Sequence, residues 1–213
     1  MIILGLTGSI GMGKTTAAVE FQRLGVPVFD SDATVHGLLA RNGGGVVAVS
    51  KRFSDVLDDG SIDRAALGDQ VFGDPEALRD LERILHPLVR VAQARFLRKC
   101  ALSHASVVLY DIPLLFETGA EARCDAVATV TAPAFIQAQR VLARPGMDRG
   151  KLDAILARQT PDDEKRRRAD FIIKTGLGRA YALHQIKEIV TVLENFKGRI
   201  WPPGSPGGGY LHA

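Results

Sequence analysis

The chain has 213 residues, 46% of them hydrophobic and 24% charged, with a formal net charge of +3, a length and mix that suit one large domain or a core carrying a small inserted subdomain. No apolar run approaches the roughly 18 residues of a membrane span, and the N-terminus lacks the basic and long apolar regions of a secretory signal, so the sequence argues against a membrane or exported protein and fits a cytoplasmic location. The small positive excess suits a protein that handles anionic small molecules and falls short of a nucleic-acid signature.

Ile2 to Thr7 reads as a short buried strand. Gly8 to Gly13 is a turn, and Lys14 to Leu24 places Ala17, Ala18, Phe21 and Leu24 at helical spacing, with Gly25 as its stop. Val26 to Phe29 is a second strand, ending at Asp30. Strand, glycine loop, helix and strand form a βαβ opening, which implies a parallel sheet. Further apolar runs at Val107 to Tyr110, Ala126 to Val130 and Phe171 to Ile173 read as strands. Helical patterns at Glu76 to Arg98, Ala134 to Ala143, Leu152 to Arg158 and Arg179 to Phe196 separate or follow them. The alternation predicts a doubly wound α/β fold with a five-stranded parallel sheet.

Two stretches exceed a minimal alternation. Residues 33–102 are long and mostly helical, and residues 144–168 are highly charged. Within residues 1–198 the expected core is then 1–32, 103–138 and 169–198, with a helical insertion at about 33–102 and a lid at about 139–168. Residues 199–213 read as a flexible Pro/Gly-rich tail, which from Trp201 to Ala213 buries little and is expected to be disordered. Cys100 and Cys124 have no CxxC or metal-like spacing and read as reduced structural thiols.

"GSIGMGKTT" (8–16) matches GxxxxGK[ST] through Gly8, Gly13, Lys14 and Thr15. Glycines let backbone amides turn inward and approach phosphate oxygens, and the following helix offers its unpaired N-terminal amides. Lys14 brings a cation to the β- and γ-phosphates, and Thr15 a hydroxyl to Mg²⁺. No NKxD, the guanine-reading motif of GTPase switches, is present. Asp111, at the end of "VVLYDIPLLFE", stands where a strand-end carboxylate holds Mg²⁺ through water; a plain cap of the next turn is the other reading.

In "VFDSDATVH", Asp30 and Asp32 alternate, so in an extended segment their side chains share a face at the carboxyl edge of the sheet. A carboxylate there can take the proton of an attacking hydroxyl, and Asp32 is the better candidate base. An aspartate before a helix is also a common N-cap. Arg140 and Arg144, four apart, are expected on one helix face as lid cations over the transferring phosphate. Lys165 to Arg168 is expected at a helix end, balanced by Asp162, Asp163 and Glu164. An RNA- or DNA-binding module would interleave aromatics with such a run, and these make up only 6% of the chain and lie elsewhere.

These motifs resemble the dephospho-CoA kinase family. The resemblance rests on "GLTGSIGMGKTT" (5–16), "DSDATVH" (30–36), "LHPLV" (85–89), "DIPLLFE" (111–117), "QRVLAR" (139–144), "ILARQ" (155–159) and "ADFII" (169–173). It implies a P-loop core with a helical acceptor-binding domain and a lid. The implied reaction is ATP- and Mg²⁺-dependent phosphorylation of the ribose 3′-hydroxyl of dephospho-CoA, with no nucleic-acid or membrane partner. It further implies that Gly11, Met12, Gly13, Lys14, Thr15 and Thr16 bind ATP phosphates, that Asp32 is the catalytic base, and that Arg140 and Arg144 contact phosphates. His86-Pro87 carries a structural or an acceptor-contact role. The chain departs from the family pattern at "KTGLG" (174–178), and the sequence sets no oligomeric state.

Overall fold

Ile2, Ile3, Leu4 and Leu6 are all buried, as a strand covered on both faces requires. They form strand β1 (Ile2–Thr7), central in the five-stranded parallel sheet of the computed structural model, which describes residues 1–202. The glycine turn leads into helix α1 (Lys14–Arg23), and the chain returns as β2 (Val28–Asp30). It then runs through α2 (Ser31–Leu39), α3 (Val46–Arg52), the two-residue strands β3 (Leu57–Asp58) and β4 (Ser61–Ile62), α4 (Arg64–Val71) and the long α5 (Pro75–Leu102). Strand β5 (Val107–Asp111) re-enters the sheet, followed by β6 (Ala126–Thr131), α6 (Ala134–Leu142), α7 (Arg149–Leu156), α8 (Asp162–Arg168), β7 (Phe171–Lys174) and α9 (Arg179–Glu194). The sheet order is β2-β5-β1-β6-β7.

The chain divides into two compact units, residues 1–29 with 100 onward, and residues 30–99. In the first, Phe21 of α1 is fully buried in one apolar cluster with Leu4, Leu109, Val130, Ile173 and Ile186. Burying a side chain of that size stabilises by roughly 2–3 kcal/mol. Glu20 of α1 takes both Nε and an Nη of Arg179 on α9, at 2.8 and 2.6 Å, which pins the two helices and holds the Glu20 carboxyl below its ordinary range. At the amino edge of the sheet, Asp125 accepts from Ile3 N at 2.8 Å and from Arg199 N and Ile200 N at 2.5 and 3.0 Å. The chain is thus held down as far as Ile200, later than the expected start of a free tail at 199. From 203 on, that expectation lies outside the described residues.

The second unit has its own core, with Leu39, Val49, Phe53, Val56, Ile62, Leu67 and Leu85 all buried. It contains a hairpin that apolar periodicity does not reveal. Asp59 and Gly60 both have positive φ, 41° and 79°, and Leu57 pairs with Ile62 across the turn. Pro87 lies inside α5, where it lacks the N–H that a helix residue donates one turn back.

Both cysteines are buried and unbridged. Burial pushes the Cys124 thiol up to about 12. At pH 8 its alkylation by iodoacetamide is expected to be roughly a thousandfold slower in the folded protein than in urea, because the thiolate is the nucleophile. Peptide mapping after timed labelling reads this directly.

Candidate active site

Helix α1 begins without a side-chain cap. Gly13, the residue before it, has φ 92° and ψ 21°, a left-handed conformation that glycine adopts without strain. The first-turn amides therefore remain available to a ligand. Gly8 is required for a different reason: a Cβ there would stand 2.2 Å from Val130 Cγ2, because β6 packs directly on the loop.

The loop's carbonyls are held from outside. Ile10 O accepts from Gln137 Nε2 at 2.8 Å, Gly11 O from an Arg140 guanidinium nitrogen at 3.3 Å, and Met12 O from Thr175 Oγ1 at 2.6 Å. In a trans peptide the C=O and the next N–H point in opposite directions. Fixing the carbonyls of Ile10 and Met12 outward therefore turns the N–H groups of Gly11 and Gly13 inward. Met12 N is spent on Ser9 O, and Ile10 N on Gln159 Oε1 at 3.1 Å. Among the described residues, the N–H groups of Gly11, Gly13, Lys14, Thr15 and Thr16 are spent on no protein acceptor. The result is a concave row of donors with the positive end of α1 behind it.

Leu6 of β1 stands opposite Asp111 of β5, so the loop and that carboxylate leave the sheet at the same edge. Lys14 Nζ lies 2.6 Å from Asp111 Oδ1, with Lys14 only 17% exposed and Asp111 7%. The lysine is thereby aimed along the loop rather than into solvent. Thr15 and Thr16 are exposed on the first turn of α1. Thr7 Oγ1 donates to Pro113 O at 2.9 Å, fixing the turn after Asp111.

Three expectations change. Asp30 and Asp32 do not alternate along an extended segment, because helix α2 starts at Ser31. Asp30 is its N-cap, accepting from Ala33 N at 2.9 Å, and Asp32 sits in the first turn, exposed and without an ion pair among the described residues. Arg140 and Arg144 do not share a helix face. Helix α6 stops at Leu142 because Pro145 disfavours a helical Arg144, which lies exposed in the following turn. Arg140 turns to the loop, binding Gly11 O and both oxygens of Thr175.

The third change concerns the basic run. Arg166, Arg167 and Arg168 do end a helix, α8, and pair one turn back with Asp162, Asp163 and Glu164. Lys165 instead is fully buried, its Nζ 2.9 Å from Glu117 Oε1. Glu117 closes the "DIPLLFE" stretch and also accepts from Thr160 N at 2.7 Å. Burial pushes its carboxyl up, but Lys165 and backbone donors outweigh that and leave it below its ordinary 4.5. Arg168 pairs with Glu121 and lies over the Phe116 ring. Gln137 and Thr175 lie in no quoted motif, and Gln159 closes "ILARQ" without a role assigned to it; only their place beside the loop exposes what they do.

A strand, an outward-clamped glycine loop and a helix at the carboxyl edge of a parallel sheet, with a lysine–aspartate pair beside them, define a P-loop kinase. The crystal structure of TT1252 from Thermus thermophilus is similar at a TM-score of 0.81 and 34% identity, over 92% of this chain and 98% of that one. Dephospho-CoA kinase from Campylobacter jejuni shares the fold at a TM-score of 0.60 and 24% identity, over 90% and 96%. The family model for dephospho-CoA kinase matches residues 2–178. A dephospho-CoA kinase from Paramagnetospirillum magneticum is 57% identical over 209 residues, 98% of this chain and 96% of the relative. The chain belongs to the dephospho-CoA kinase family.

The Lys165–Glu117 pair makes a stability prediction. Lys165→Met or Glu117→Gln alone, each stranding one buried partner, should cost about 3–5 kcal/mol in urea unfolding at neutral pH, and the double variant Lys165→Met/Glu117→Leu less than either. Because the Glu117 carboxyl is lowered on folding, its contribution is present above its ordinary value of 4.5 and is lost as pH falls through the lower folded value. The acid limb of the stability profile should flatten in Lys165→Met.

Proposed function

We propose that the chain performs its family's reaction through the clamped loop, with the ribose 3′-hydroxyl of dephospho-CoA as acceptor and ATP as donor. Dephospho-CoA kinase activity, the final step of coenzyme A biosynthesis, comes with the family. The observation that carries the residue assignment is the row of inward N–H groups with Lys14 held at 2.6 Å from Asp111 beside it. The amides of Gly11, Gly13, Lys14, Thr15 and Thr16 bind the β- and γ-phosphates, while that of Met12, also expected there, is spent on Ser9 O; Lys14 neutralises charge that grows on the phosphate oxygens during transfer. Asp32, at the start of helix α2, orients the acceptor hydroxyl and takes its proton as the new bond forms. Arg144 adds positive charge from the lid side. The second compact unit, residues 30–99, carries the acceptor's nucleoside and pantetheine portions.

The residues also suit Mg²⁺. Thr15 offers an exposed hydroxyl at the helix start and Asp111 a buried carboxylate at the same edge. Among the described residues no group of three His, Cys, Asp or Glu side chains gathers to hold an ion. When bound, the ion withdraws charge from the β- and γ-phosphate oxygens. Thr15 and Asp111 would hold it there. Among the described residues no helix is long and apolar enough to cross a membrane.

The test is ADP release from Mg-ATP with and without dephospho-CoA. Strong stimulation with a 3′-phosphorylated product is expected, and Asp32→Asn should lower kcat by about 10²–10⁴ with an unchanged melting temperature. Release indifferent to dephospho-CoA overturns the acceptor assignment. Near-normal turnover in Asp32→Asn overturns the base.

A further inference from the structure

Thr175 opens the short turn Thr175–Leu177 between β7 and α9, in the stretch where the chain departs from the family pattern. Its hydroxyl has one proton and three neighbours. Met12 O lies at 2.6 Å, Thr131 O at 3.3 Å, and an Arg140 guanidinium nitrogen donates to it at 3.0 Å. The arginine occupies a lone pair, and the shorter contact takes the proton, so the hydroxyl donates to Met12 O. Arg140 cannot reverse this, since a guanidinium only donates, and its other nitrogen is fixed by Thr175 O at 3.0 Å.

The same side chain packs against the loop. A Cβ on Gly13 would lie 3.2 Å from Thr175 Oγ1 and 3.3 Å from both its Cβ and its Cγ2. The threonine therefore binds one end of the Met12–Gly13 peptide by hydrogen bond and crowds the space that a side chain on Gly13 would need at the other. That peptide has the freedom to flip, since Gly13 tolerates either sign of φ. A flip would turn its carbonyl into the anion cradle and its N–H out of it.

We infer that Thr175 is a positioning residue for phosphate binding: its hydroxyl, oriented by Arg140, locks the Met12–Gly13 peptide with its N–H facing the β- and γ-phosphates. This rests on the reading of the loop as the phosphate cradle. Thr175 lies 163 residues along the chain from the carbonyl it holds, in "KTGLG" (174–178), a stretch that matches no phosphate-binding motif.

Thr175→Val keeps the shape and deletes the donor, while Thr175→Ser keeps the donor. Dissociation constants are measured by calorimetry for ADP and inorganic tripolyphosphate, and by ligand-observed NMR for adenosine. In Thr175→Val, ADP and tripolyphosphate should each bind about three- to tenfold more weakly, with adenosine unchanged and Thr175→Ser close to wild type. Unchanged tripolyphosphate affinity in Thr175→Val, or an equal loss for adenosine, overturns the inference. So does failure of Thr175→Ser to restore binding at an unchanged melting temperature. If the wild-type protein binds ADP but no tripolyphosphate, the cradle reading itself fails, and the inference with it.

Discussion

Everything at this site depends on the direction of three carbonyl groups. A glycine-rich loop is free to present oxygens or amide hydrogens to its concave side, and only the second arrangement attracts an anion. Here the oxygens of Ile10, Gly11 and Met12 are drawn outward by Gln137, Arg140 and Thr175. Those three residues come from α6 and from the end of β7, which the order β2-β5-β1-β6-β7 brings to the side of β1 away from β5. Lys14 and Asp111 approach from the β5 side. The central strand thus delivers the loop between a carbonyl clamp on one flank and a charge pair on the other.

The clamp is tied into the rest of the first unit by polar contacts that would be costly to leave unpaired. Gln159, just after α7, takes the Ile10 amide, and one residue later Thr160 N donates to Glu117. Glu117 in turn neutralises Lys165, which is fully buried on α8. Burying two charges gains little net stability over an apolar pair, but breaking such a pair is expensive. The arrangement therefore fixes where α8 sits relative to the turn after Asp111. The glutamate that closes "DIPLLFE" thus serves to hold the charged segment in place.

In the second unit the decisive event is the start of α2. With Asp30 committed to Ala33 N, the chain turns helical at once, and Asp32 is carried on a rigid first turn instead of a mobile extended segment. A carboxylate on a helix start is better positioned for one fixed partner than one on a loop, which suits a group that must meet a single hydroxyl. Of two acids in close succession, one is thus spent on the cap, and the other is the one the proposed function takes as base.

The sequence by itself determined the core strands, the glycine loop and its helix, because continuous β-branched runs and a fixed motif report local conformation. It also carried the balance of α8, since pairs four apart meet on any helix. Read for apolar periodicity alone, it left out the β3–β4 hairpin, although Asp59-Gly60 is a strong turn signal. Only the tertiary structure decided which way the loop carbonyls face, that Arg140 serves the loop, that Lys165 is buried, and that Gln137, Gln159 and Thr175 belong to the site. Each of those outcomes is set by a partner between 35 and 163 residues away along the chain. Side-chain hydrogen bonds and buried ion pairs across such separations leave no periodic trace, because they are chosen by strand order and packing rather than by neighbours in sequence.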